Sequence, residues 1–148
     1  MFDPVDFIRL ARQLSADPAA TSAIAATIPS SARVRTAYGR AYYGLYLTVR
    51  SEIATRHGIH HRKLNHGAVY THLQNSKAPK RVRRVGRELQ RLYTLRQTAD
   101  YELAPSYPWR GYLEDADLAA TLATRALVLS RMVPHLDFSP VVSLFDPR

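Results

Sequence analysis

The amino-acid sequence predicts an all-α fold, most simply a four-helix bundle with additional short helices. Three observations predict it. Each segment with a convincing hydrophobic period repeats as a helix does, with apolar residues three and four apart. Asp-Pro pairs and glycines stand where such segments should start and stop. No alternating apolar–polar run is long enough to build a sheet. The chain has 148 residues, of which 46% are hydrophobic and 22% charged. That length and balance suit one globular domain spanning 1–148, with its core at about 30–133 and a tail from 134 to 148.

The first helix, DPVDFIRLARQLSA, opens with Asp3 as cap and Pro4 at the first helical position. ADPAATSAIAATIP reads as a short alanine-rich helix between Asp17-Pro18 and Pro29. A cap at Ser30 or Ser31 is expected to begin SARVRTAYGRAYYGLYLTVRSEIATRHG, which stops at Gly58. Along it Val34, Tyr38, Ala41, Tyr42, Leu45, Val49 and Ile53 share one stripe, and Tyr43, Leu47 and Ala54 form a thinner one opposite. A helix apolar on two sides belongs at the centre of a bundle, at a subunit contact, or both. GAVYTHLQNS is a short helix after a polar turn, and PKRVRRVGRELQRLYTLRQTADYEL is a long one from Pro79 to about Leu103. APSYPWRGYLED, with two prolines and a glycine, reads as a loop or hairpin-like excursion. EDADLAATLATRALVLSRMV forms the last clear helix on Leu118, Leu122, Leu129 and Val133; the tail PHLDFSPVVSLFDPR shows no period.

Composition narrows the function classes. Without cysteine there is no disulfide and no thiolate metal site, in keeping with a cytoplasmic protein. No apolar run could span a bilayer, and the acidic N-terminus is unlike a signal peptide. Twenty-one Lys and Arg against twelve Asp and Glu leave a formal charge of +9, with arginine dominant. Such a surface attracts nucleic acid, acidic proteins or anionic lipid, and arginine forks suit phosphate.

On a helical wheel of residues 79–103, Val82, Val85, Leu89 and Leu92 make the buried side. Lys80, Arg83, Arg84, Arg87 and Arg91 fall on the opposite arc, almost unneutralised, as a solvated face or a polyanion footprint. Arg96 breaks this pattern by pointing to the apolar side, where Asp100 can reach it as an i,i+4 pair. Glu52 also interrupts an apolar stripe. Two acids and an arginine directed inward imply one buried polar cluster, either a structural clasp or a cleft that receives a phosphate.

Three segments, GRAYYGLYLTVRSEI (39–53), HHRKLNHGAVYTHL (60–73) and LQRLYTLRQTADYEL (89–103), resemble the small bacterial HEPN proteins. Arg40, Ala41, Tyr42 and Tyr43 match their RAYYA helix; Lys63, His66 and Gly67 match a K.H.G turn; Arg96, Ala99, Asp100 and Tyr101 match an R..ADY helix. The resemblance covers residues 30–133 and implies a helical bundle that dimerises through its long helices and associates with RNA. Many members are metal-independent ribonucleases of toxin–antitoxin or defence systems, in which a histidine four to six residues after an arginine moves the proton. Here Tyr101 stands five residues after Arg96, and tyrosine is a poor base at neutral pH. Binding is therefore expected with a degenerate ribonuclease motif: Arg96 on phosphate, Asp100 orienting it, Tyr101 stacking or donating. His66 is the replacement proton carrier if cleavage occurs. The alternatives are an active endoribonuclease toxin and a protein-interaction module that pairs with a nucleotidyltransferase or antitoxin partner.

No cofactor is implied. Five of the six histidines lie between His57 and His72, but no acid or cysteine completes a metal-ligand set. Phosphate-loop strings and Ser/His/Asp spacing are absent. Of the nine tyrosines, Tyr38 and Tyr42 are expected in the core with tethered hydroxyls, and Tyr43, Tyr93 and Tyr101 at a stacking or dimer face. The Tyr107-Pro108-Trp109-Arg110 stretch is a recognition loop or, with Trp109 buried, the end of the bundle.

Overall fold

Asp3 starts helix α1 (Pro4–Ser15) by accepting the Val5 amide proton at 2.9 Å, which satisfies one of the free donors of the first turn. A computed structural model describes residues 3–16, 29–102, 104, 106 and 108–147. The alanine-rich helix expected at 16–29 lies outside the described residues, save for its ends. Among the described residues the secondary structure is helical throughout. None of these helices is long and apolar enough to cross a membrane.

Helix α2 (Ser30–His57) is the central element, packed on α1, on the long basic helix and on the last long helix. Its whole predicted stripe is buried, from Val34 to Ile53. Tyr43, Leu47 and Ala54 are half-buried and pack against the same core. The expected serine cap is absent: Pro29 holds the cap position, and no side chain bonds the first amides. Proline already sets the backbone angle that enters the helix, so the turn forms without a hydroxyl. Gly58 ends the helix at φ 66°, the left-handed conformation that favours glycine. At Gly44 a side chain would not fit, since an added Cβ would lie 2.3 Å from Ile8 Cγ1 and 2.9 Å from the Pro4 carbonyl oxygen. This gap is what brings α1 against α2.

Asn65 caps α3 (His66–Leu73) by accepting the Ala68 amide proton at 2.9 Å. Helix α4 (Lys80–Tyr101) follows Pro79 and stops two residues short of the expected Leu103. It crosses α3 at Gly86, which faces Leu73 and Gln74 closely enough to exclude a larger residue.

The segment read as a loop contains a helix, α5 (Trp109–Glu114), anchored by buried Leu113. Six residues are too few to display a period, and Gly111 and the preceding prolines disguise it. Asp115 caps α6 (Ala116–Met132), accepting from Leu118 N at 2.9 Å, and Leu122, Leu129 and Val133 are buried as the stripe requires. Beyond it a short turn (Val133–His135) and α7 (Ser139–Phe145) bring Phe138, Val141 and Phe145 into the core. The tail thus docks on its own bundle. Arg56 secures it by donating to the carbonyls of Leu136, at 2.9 Å, and Pro134, and Lys63 pairs with Asp146.

Candidate anion-binding site

Arg96 is placed as its heptad position demands, on the side of α4 that faces α2. Its guanidinium carbon lies 5.2 Å from the centre of the Tyr43 ring and 5.7 Å from that of Tyr101. Both are cation–π distances. Asp100 Oδ2 stands 2.8 Å from Nε, although the N–H does not aim at it, so the contact is one of charge more than of a directed hydrogen bond. The Arg96 side chain keeps 14% of its exposure and Asp100 keeps 41%. The cation is thus neither entombed nor ringed by carboxylates. Burial works against its charge, while Tyr43, Asp100 and Tyr101 outweigh that and hold its pKa above the ordinary value.

Glu52 does not join this cluster, contrary to expectation. It pairs with Arg56, one turn along the same helix. The side chain that interrupts the α2 stripe leans along the helix to its own partner, which is cheaper than carrying a carboxylate into the core.

The turn before α3 supplies the other half of the site. His66, the first residue of α3, lies tilted 4.3 Å from the ring of Tyr46, stacks at 5.9 Å on Tyr93 and meets Tyr43 edge to face at 6.0 Å. Its Nδ1 is 2.5 Å from the hydroxyl of buried Tyr42. Desolvation lowers the His66 pKa, and the nearby charges of Arg96 and Arg50 lower it further, so the imidazole is neutral at neutral pH. Burial and neighbouring tyrosines push the Tyr42 hydroxyl far above its usual range, so it keeps its proton. With Tyr42 as donor, Nδ1 accepts and the ring proton resides on Nε2. His66 therefore offers an N–H, and its basic nitrogen is already engaged.

Four predicted residues, Arg96, Asp100, Tyr101 and His66, belong to one neighbourhood that Tyr43 bridges. Tyr101 is its outermost member, at 72% exposure. Tyr93, expected at a stacking or dimer face, belongs to it as well, as do Tyr46 and Arg50, which went unread in the sequence. The signal was present for both: Tyr42, Tyr46 and Arg50 recur every four residues on α2, and the two tyrosine rings stack at 5.7 Å. Beside Tyr43 and Asp100 a groove of about 480 Å³ extends past Gly39 to Arg35 and Arg40. Arg35 is committed within the fold, donating to the carbonyls of Ala99 at 2.9 Å and Glu102 at 2.8 Å at the end of α4. Arg40 lies over Phe7, 4.8 Å from its ring centre.

The basic stripe is elsewhere. Lys80, Arg84, Arg87 and Arg91 are exposed, and none is within ion-pairing distance of a carboxylate among the described residues. Arg83 is half-buried and donates to the Ser76 carbonyl at 3.2 Å. Arg87 precedes Arg96 by nine residues, two and a half helical turns, so the stripe and Arg96 occupy opposite sides of α4. The structure does not join them into one footprint. Among the described residues no group of three metal-ligating side chains converges.

Comparison of the chain with protein-family models, with curated proteins and with solved structures finds no match.

Proposed function

We propose that this chain is a HEPN-like RNA-binding protein of the toxin–antitoxin or defence type, with Arg96 receiving a backbone phosphate. The observation that carries the reading is the environment of that guanidinium. It lies over the rings of two tyrosines, is held by a single half-exposed carboxylate, and shares Tyr43 with a neutral histidine that has an N–H to give. A phosphate oxygen can replace water at such a cation, while Tyr101 and Tyr43 present ring faces to unstacked bases. The family assignment draws on the three matched motifs; the tyrosines, Arg96 and His66 supply the binding chemistry.

Loss of a charge-assisted hydrogen bond removes roughly 1.5–3 kcal/mol, so Arg96→Ala should weaken binding of a mixed single-stranded RNA about ten- to hundred-fold. Fluorescence anisotropy at several salt concentrations measures this, and the slope of log Kd against log salt should fall by about one. An unchanged affinity would remove Arg96 from the interface.

Cleavage is the second reading, favoured by the Tyr43 ring that His66 and Arg96 share and by the effect of the Arg96 charge on His66. Its difficulty is the Tyr42 hydroxyl, which occupies the nitrogen a base would need. Incubation with RNA in chelator decides the matter: cutting that disappears in both Arg96→Ala and His66→Ala would make the protein a metal-independent endoribonuclease. Self-association through the long helices and pairing with a nucleotidyltransferase or antitoxin are further proposals from the resemblance. Sedimentation of the purified chain and co-purification with neighbour-encoded proteins test them.

A further inference from the structure

The opposite side of α4 carries a second feature that the Arg96 site does not use. A groove of about 380 Å³ runs between α4, α5 and α6, lined by Trp109, Tyr112, Leu95 and Leu118, with Arg87 and Arg91 at its side. Its volume is within the range of small-ligand sites, roughly 300–1,000 Å³. Trp109 and Tyr112 meet edge to face at 6.0 Å, and Tyr112 is 42% exposed. The pair is held from beneath: the Tyr38 hydroxyl donates to the Tyr112 carbonyl at 2.6 Å, and Leu113 is buried. The backbone that carries the aromatic wall is thus tied to α2 and to the core.

We infer that this groove binds an unpaired nucleotide of a single-stranded nucleic acid, its base against Trp109 and Tyr112 and its phosphate on Arg87 and Arg91. Two features select that ligand. The groove combines an aromatic, apolar wall with guanidinium forks, and a nucleotide carries a flat ring and a phosphate within one unit. The cationic row also continues past the groove to Arg84 and Lys80, at helical steps of three and four residues, about 4.5–6 Å each. A polymer with repeated phosphates can follow such a row, whereas a lone nucleotide would use only part of it. Carboxylates of an acidic peptide would meet the arginines equally, but nothing in a glutamate chain fills the aromatic wall. This inference is independent of the Arg96 face, which points the other way.

Trp109 is the only tryptophan in the chain, so its fluorescence reports on this groove alone. Titration of the full-length protein with a short oligoadenylate at low salt should quench that emission saturably. Arg87→Gln with Arg91→Gln should raise the quenching midpoint at least ten-fold, and Trp109→Ala should weaken anisotropy-detected binding at least five-fold. Arg96→Ala should leave the quenching midpoint within two-fold, even where it lowers total RNA affinity. Circular dichroism of each variant verifies the fold. Absence of quenching, a midpoint indifferent to Arg87 and Arg91, or equal quenching by a polyglutamate peptide would each overturn the inference. A midpoint that moves only with Arg96→Ala would also overturn it, while leaving the proposal for the Arg96 site standing.

Discussion

Two glycines five residues apart on α2 should respond in opposite senses to the same substitution. An alanine Cβ at Gly44 would lie 2.3 Å from Ile8 Cγ1, 3.0 Å from Ile8 Cδ1 and 2.9 Å from the Pro4 carbonyl oxygen. Ile8 is fully buried and the carbonyl is backbone, so neither can yield without moving α1. Overpacking of this kind costs about 1–3 kcal/mol, and the upper end applies where backbone is struck. Alanine recovers about 0.5–1 kcal/mol of helix propensity, which leaves a net loss of about 2 kcal/mol. At Gly39 the nearest atom to the added Cβ is Arg96 Cγ at 3.9 Å, an ordinary contact, so only the propensity gain remains. For a chain of this size each kcal/mol moves Tm by roughly 2–4 °C. Gly44→Ala should therefore melt about 4–8 °C below the wild type, Gly39→Ala slightly above it, and the two should differ by about 6–10 °C. Thermal unfolding followed by far-ultraviolet circular dichroism measures both. Shifts of the same sign, or a Gly44→Ala protein as stable as the wild type, would refute the close docking of α1 on α2.

Three further outcomes follow from the site and its supports. The His66 pKa is depressed, so the stability contributed by its neutral form is complete above about pH 6.5, the unfolded value, and is lost as pH falls through the folded one. Arg96→Gln removes one of the two cations responsible, so NMR titration should show the His66 midpoint rising. His72, depressed by burial alone, should not move; equal midpoints for His66 in both proteins would disprove the coupling. Tyr42→Phe keeps the ring but deletes the donor to Nδ1, which should lower stability by about 1 kcal/mol and shift the imidazole nitrogen resonances as the tautomers redistribute. An unaltered nitrogen spectrum would refute the tautomer assignment. At the tail, Phe138→Ala should cost about 3–5 kcal/mol because the ring is wholly buried, whereas Asp146→Asn, in a half-exposed ion pair, should change denaturant stability by less than about 1 kcal/mol. Equal effects would mean that the tail is not docked as described.

The long elements were legible because periodicity needs length. The α2 stripe spans Val34 to Ile53, and over so many turns chance cannot mimic a buried row. Arg96 and Asp100 could be paired because helix geometry alone puts them one turn apart on the same side. Helix α5 and helix α7 were not legible: six and seven residues cover fewer than two turns, and prolines mask them. Glu52 stands among apolar residues in the sequence, but Arg56, four residues on and one helical turn away, draws its carboxylate outward. The Tyr42–His66 bond joins residues 24 positions apart across a turn, whose path only tertiary structure determines. The convergence of Tyr43, His66 and Arg96 was unreadable for the same reason.

Arg35 has one more consequence. It latches the final turn of α4 from a position 64 residues earlier, gripping carbonyls on either side of Asp100 and Tyr101. Under the proposed function, that turn can act as a receptor only once two distant stretches of chain have met. Slackening this clasp should disarm the surface well before the bundle melts, so loss of binding would herald unfolding.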